Sequence, residues 1–175
     1  AYGGFVYAGG TMAFTAGYWA LGALKPDVLA FFGCDMNYGS ARTHFYGKGS
    51  ADPLRDDITL QSLEAKSARL MLIAAGQGCL TLNLSRQRES QLVFPRLDHE
   101  AAASLTSARQ KQLLAPLKAL SDSEAAEMAI HRESELGFMA ESGRYWATPE
   151  KFDAGELRKL DALWFDAAMP TQVRM

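Results

Sequence analysis

The side chains best suited to chemistry crowd into one stretch, with Asp35, Asn37, Tyr38, Arg42, Thr43, His44, Tyr46 and Lys48 following an apolar run. His44 is one of three histidines. Imidazole titrates near neutrality, so His44 can act as general acid or base. Its other role is structural, a loop histidine bonded to backbone. Asp35 can orient His44, bind a ribose hydroxyl or hold a metal, or it can cap the backbone N–H groups of the turn that follows. Arg42, Lys48 and Arg55, with Tyr38 and Tyr46, suit phosphate or carboxylate recognition. Asp52, Asp56 and Asp57 offer the same cations partners within the loop. Cys34 is either a nucleophile near this site or a small buried hydrophobe.

The elements that must position these groups are legible around them. The run 27–33 is apolar without alternation, as in a parallel strand covered on both faces. Leu60, Leu63, Ser67, Leu70 and Ala74 recur at steps of three and four, predicting a helix over 59–75 with that face on the sheet. Glu64, Lys66 and Arg69 lie off it. A second buried strand follows at 80–84. This β–loop–α–β order makes the strands parallel, and ligands in such sheets bind beyond the strands' carboxyl ends. The loop 34–55 is longer than a connection needs, which points to function.

Upstream, the glycine-rich segment 1–10 reads as a short strand or an entry loop. Residues 11–24 read as a buried helix ended by Pro26, with Gly17 marking the close approach of a backbone or ligand. Downstream, 92–94 is extended and stopped by Pro95. The composition then shifts to Ala, Leu, Glu and Lys. Helices are expected over 105–120 with a bend at Pro116, from a Ser121/Glu124 capping box to about 139, and after a Thr148-Pro149 start. The last carries Leu157, Leu160, Trp164 and Ala168 on one face. The expected organisation is an α/β core over 1–96 and a helical C-terminal region over 97–175.

Composition excludes several classes. A net charge of −2 gives no global attraction to nucleic acid or anionic membranes. No apolar run approaches a membrane span. Cys34 and Cys79 fall at opposite ends of neighbouring strands, too far apart to bridge, so both are expected as free thiols of a cytoplasmic protein. His99 and His131 lack metal-ligand spacing, so neither a metal nor a cofactor is expected. Walker A, GxGxxG and GxSxG motifs are absent from the sequence. Ala1-Tyr2-Gly3-Gly4 reads like the interior of a domain, so further sequence upstream is expected.

The order of Thr15-Ala16-Gly17-Tyr18, a short helix, the strand, Gly33-Cys34-Asp35-Met36 and Thr43-His44-Phe45-Tyr46-Gly47 resembles the bacterial family 42 sialyltransferases. Related uncharacterised bacterial and phage proteins share the pattern. The match covers roughly residues 11–85. It implies a Rossmann-like parallel-sheet transferase with a nucleotide-sugar donor such as CMP-sialic acid. By position, Thr15, Ala16 and Gly17 would lie against the nucleotide, and Asn37 or Tyr38 would stand at the family's phosphate-binding tyrosine. Lys48 occupies the slot of the family's catalytic histidine, so the base would be Lys48 or His44. The expected function is a glycosyltransferase-like protein recognising a nucleotide-sugar or phosphorylated sugar. The alternative is a non-catalytic binding or assembly module, with the C-terminal helices as a homo-oligomer interface.

Overall fold

The computed structural model describes residues 6–37, 57–87 and 89–169, with Leu60 described by its backbone alone. Over these residues the chain is mixed α/β, with six α-helices and a two-stranded parallel sheet. No helix among them is long and apolar enough to cross a membrane.

Val6–Ala8 forms a 3-10 turn rather than a strand. Helix α1, Met12–Ala23, starts where the Thr11 side chain accepts a hydrogen bond from Phe14 N at 3.3 Å. It buries one face: Phe14, Gly17, Tyr18 and Leu21. The expectation of a buried helix is corrected to one buried on a single face, because Met12, Thr15, Ala16, Trp19, Gly22 and Ala23 are exposed. Gly17 is where the helix meets the sheet. A Cβ there would stand 3.0 Å from Leu70 Cδ2 and 3.2 Å from Phe31 Cζ, so glycine permits the approach.

Strand β1, Val28–Phe31, pairs in parallel with β2, Leu80–Asn83, in the register Val28↔Leu80 to Phe31↔Asn83. The two are joined through helix α2, Leu63–Gly76. This is the expected β–α–β order with shorter strands. β2 is fully buried, flanked by β1 on one side and by an isolated parallel bridge to Arg96 on the other. β1 departs from expectation: Ala30 is exposed and Val28 and Leu29 are half-buried. The reason is topological, since among the described residues β1 has one strand neighbour and lies at the edge of the sheet. α2 begins at Leu63 because Ser62 accepts from Ala65 N at 3.2 Å, and Ile58–Leu60 ahead of it is a separate 3-10 turn.

Four more helices follow: α3, His99–Ala103; α4, Ser107–Ser121; α5, Glu124–Leu136; and α6, Ala154–Ala168. α4 continues through Pro116. Ser123, not Ser121, caps α5, and Asp153 caps α6, while Pro149 opens only a 3-10 turn. Each actual cap is the residue whose side-chain oxygen reaches an N-terminal amide. α4 and α6 pack on α2, and α5 packs on α6. One apolar cluster runs from Phe14 and Phe31 through Leu70 and Leu72 to Leu157, Leu160 and Trp164.

α2 therefore has two buried faces. Ser67, Leu70 and Ala74 are buried as the periodicity requires, but Lys66 and Arg69 are buried too. The Arg69 guanidinium meets Glu133 of α5 in a fork, Nε to Oε1 at 2.5 Å and Nη2 to Oε2 at 3.0 Å. Its Nη1 donates to the Tyr18 hydroxyl of α1 at 2.6 Å. Trp164 Nε1 of α6 donates to Glu133 Oε1 at 2.7 Å. The rings of Tyr7, Tyr18 and Trp164 lie 5.3, 5.1 and 5.7 Å from the guanidinium carbon, within cation–π range. Burial works against the charge, but Tyr18 and Glu133 outweigh it and hold the pKa of Arg69 above its ordinary value. One turn away, Lys66 Nζ meets Asp161 Oδ1 of α6 at 2.5 Å. There burial pushes the lysine down and the aspartate up, against the pull of each on the other.

Tyr7 gives this cluster a pH signature. Burial pushes its phenol up to about 12; the Glu133 charge adds to the rise and Arg69 opposes it. The folded chain keeps a proton that an unfolded tyrosine releases near pH 10. Stability should therefore fall as pH rises from about 10 to about 12. Tyr7→Phe removes this component. Denaturant unfolding across that range should show a steeper fall in the wild type than in Tyr7→Phe; parallel curves would contradict the assignment.

Candidate functional site

The carboxyl ends of β1 and β2 open into a shared polar cluster. The chain leaves β1 through two left-handed residues, Gly33 at φ +68° and Met36 at φ +55°. Glycine takes this conformation freely, whereas a methionine there costs on the order of 1–3 kcal/mol, strain of the kind that gathers at functional sites. The Met36 side chain offsets part of it by burial in the core. Between the two bends stand Cys34 and Asp35.

Asp35 is held on two sides. Its Oδ2 accepts from Ser85 Oγ at 2.6 Å, just past the end of β2. Its backbone carbonyl accepts from Gln91 N at 2.9 Å. Its Oδ1 is buried and has no hydrogen-bond partner among the described residues. The buried side chain of Asn83 organises the second strand end. Its Oδ1 accepts from Ser85 N at 2.9 Å, and its Nδ2 donates to Ser90 Oγ at 3.1 Å. Ser85 Oγ also accepts from Gln87 N at 3.1 Å. Across the opening Asn37 Nδ2 donates to Glu89 Oε2 at 2.9 Å.

Cations border the cluster on the β2 side. Arg86 directly follows Ser85 and lies 3.4 Å from His99 Nδ1. Arg96 Nη1 donates to the Gln87 carbonyl. The result is a carboxylate with one oxygen that lacks a partner among the described residues, a Ser–Asn–Ser network that holds it from the end of β2, and the Arg86 and Arg96 guanidinium groups on the chain that follows β2. Carboxylates of this kind accept sugar or ribose hydroxyls, and guanidinium groups recognise phosphate. Among the described residues no group of three or more His, Cys, Asp or Glu is disposed to hold a metal ion.

Of the residues singled out in sequence, Asp35 and Asn37 belong to this cluster. Thr15 sits on the exposed face of α1, where its hydroxyl donates to Thr11 O at 3.0 Å. Gly17 packs against Leu70 and Phe31, side chains that already fill the space beside it. Tyr38, Arg42, His44, Tyr46 and Lys48 lie outside the described residues. Cys34 and Cys79 are free thiols. Burial, with the neighbouring Asp35 charge, pushes the Cys34 thiol up, away from a reactive thiolate. Sequence reasoning singled out none of Asn83, Ser85, Arg86 and Ser90, at and beyond the end of β2. The signal was present, because the turn after the second of two parallel strands must lie beside the turn after the first.

The chain matches no protein-family model, no curated protein and no solved structure.

The Asp35–Ser85 bond is the tie between the two strand ends, and a double-mutant cycle with Asp35→Asn and Ser85→Ala measures it. The two changes should couple by about 0.5–3 kcal/mol in unfolding free energy, as bonded side chains do. Strictly additive losses would show that the carboxylate is held by other means.

Proposed function

We propose that the chain binds a nucleotide-sugar or another phosphorylated sugar over the carboxyl ends of β1 and β2, as a glycosyltransferase-like protein with a Rossmann-like sheet. The observation that carries this reading is the Asp35 carboxylate, anchored through one oxygen by Ser85 while the other lacks a partner among the described residues. A buried carboxylate oxygen without a bond is costly, and a ligand hydroxyl removes the cost. Arg86 supplies a cation for the phosphate beside it.

In this reading the acceptor's hydroxyl oxygen attacks the anomeric carbon as the bond from that carbon to the leaving phosphate oxygen breaks. The hydroxyl proton passes to His44 or Lys48, the electron pair leaves with the phosphate, and the cations stabilise its charge. The resemblance to the sialyltransferases supports this assignment, with Asn37, Tyr38, Arg42 and Tyr46 contributing to ligand binding. A second reading, a non-catalytic assembly module, is favoured by the uncharged and exposed outer face of α1.

Calorimetry with CMP-, UDP- and GDP-sugars tests the first reading. Asp35→Asn should weaken binding of the preferred donor by about 10–100-fold, the size of a lost charge-assisted hydrogen bond. Arg86→Ala should weaken it more at low salt than at high salt, while Arg158→Ala on α6 should leave it unchanged. If turnover is found, His44→Asn or Lys48→Ala should lower it by roughly 10²–10⁴-fold with binding retained. Asp35→Asn binding like the wild type, or no sugar nucleotide binding at all, would overturn the reading.

A further inference from the structure

Helix α1 carries no charged residue over its whole length. Each of the four other helices longer than ten residues carries at least three. An uncharged helix normally lies inside a protein, yet among the described residues the outer face of α1 is open. Met12 is 81% exposed and Trp19 61% exposed. Ala16 and Ala23 lie between and beyond them on the same face and are exposed too. The spacing from Met12 to Ala16, Trp19 and Ala23 runs four, three, four. That is the repeat of a coiled-coil seam, with a large residue at one seam position and alanine at the other.

We infer that this face binds a second copy of the chain, with two α1 helices packed antiparallel about a twofold axis. Three features select that occupant. First, the face has no charge, so a charged partner would have to desolvate its own charges against it without compensation. A second copy brings a face equally free of charge. Second, the sizes are self-complementary. In an antiparallel pair centred between Ala16 and Trp19, Met12 of one copy faces Ala23 of the other, and Trp19 faces Ala16. Each bulky side chain meets a hollow, and alanine at every seventh residue lets the helices approach closely. The two contacts of each kind are equivalent, as a twofold interface requires. Third, the area suffices. Trp19 and Met12 each offer roughly 150 Å², and with the small residues between them each copy offers roughly 500 Å². Two copies that cover the whole of this area would bury about 1,000 Å², the lower limit of a specific interface. The dimer should therefore be weak, with a dissociation constant on the order of 1–100 µM. This places self-association on α1, not on the C-terminal helices.

Sedimentation of the full chain across a concentration series tests the inference. The wild type should show a monomer–dimer equilibrium. Trp19→Lys should raise the dissociation constant at least tenfold. Ala16→Glu, which suits an exposed helix position, should do the same if the lysine variant fails to fold. Trp146→Lys, at an exposed tryptophan off the seam, should leave the equilibrium unchanged. A wild type that stays monomeric to about 1 mM, or a dimer indifferent to both Trp19→Lys and Ala16→Glu, would overturn the inference. So would a monomer that instead floats with phosphatidylcholine vesicles through Trp19, because the face would then belong to a lipid surface.

Discussion

One buried cation joins most of the molecule. The Arg69 guanidinium projects from α2 and binds Tyr18 of α1 and Glu133 of α5, while Trp164 of α6 completes the Glu133 shell and Tyr7 lies against its face. The other face of α2 packs on the sheet side through Leu70. Arginine suits the position because its planar fork matches both carboxylate oxygens and still has a donor for Tyr18. A lysine is a point charge and cannot make that set of bonds. Such a pair is not a source of stability in itself, since desolvation cancels much of the attraction. Its effect is to penalise every arrangement in which α1, α2, α5 and α6 do not converge, because any of those leaves a charge buried and alone.

The same helix reaches the candidate site. Ser67, on the sheet-facing side of α2, accepts from Val93 N at 3.1 Å and donates toward Gln91 O at 2.9 Å. Gln91 N in turn donates to the Asp35 carbonyl. Asp35 is thus fixed through its backbone by a segment that α2 holds, and through its side chain by Ser85 beyond β2. The site's rigid half is built from two strand ends and one helix, which is the economical way to aim a carboxylate. α1 serves a different purpose. Its inner face closes the core around Gly17, and its exposed outer face is the one we infer to bind a second copy.

Local pattern made part of this legible and left part hidden. The parallel β–α–β order, the sheet face of α2 and the apolar face of α6 follow from periodicities of 3.6 and from uninterrupted apolar runs. The location proposed for the site follows from the rule that ligands gather at strand carboxyl ends, and Asp35 was singled out on those grounds. What a periodicity cannot encode is a third layer. Lys66 and Arg69 read as residues off the sheet face, and nothing in their spacing announces that α5 and α6 will bury them. The exposure of β1 and of the outer face of α1 was hidden for a related reason: apolar composition implies a cover without saying which chain supplies it. Cap positions shifted by a few residues because Ser, Thr and Asp are frequent before helices, and geometry chooses among them.

The central claim is that the Arg69–Glu133 pair holds the helical layers on the β–α–β unit, and the stability of Glu133→Gln tests it most directly. This change keeps the shape and removes the charge that Arg69 and Trp164 share. Denaturant unfolding should show a loss of about 3–5 kcal/mol, as when one partner of a buried ion pair is removed. The double variant Arg69→Met/Glu133→Leu, which buries no charge at this site, should lose less than Glu133→Gln alone. A Glu133→Gln protein within about 0.5 kcal/mol of the wild type, the range of an ordinary surface substitution, would contradict the account.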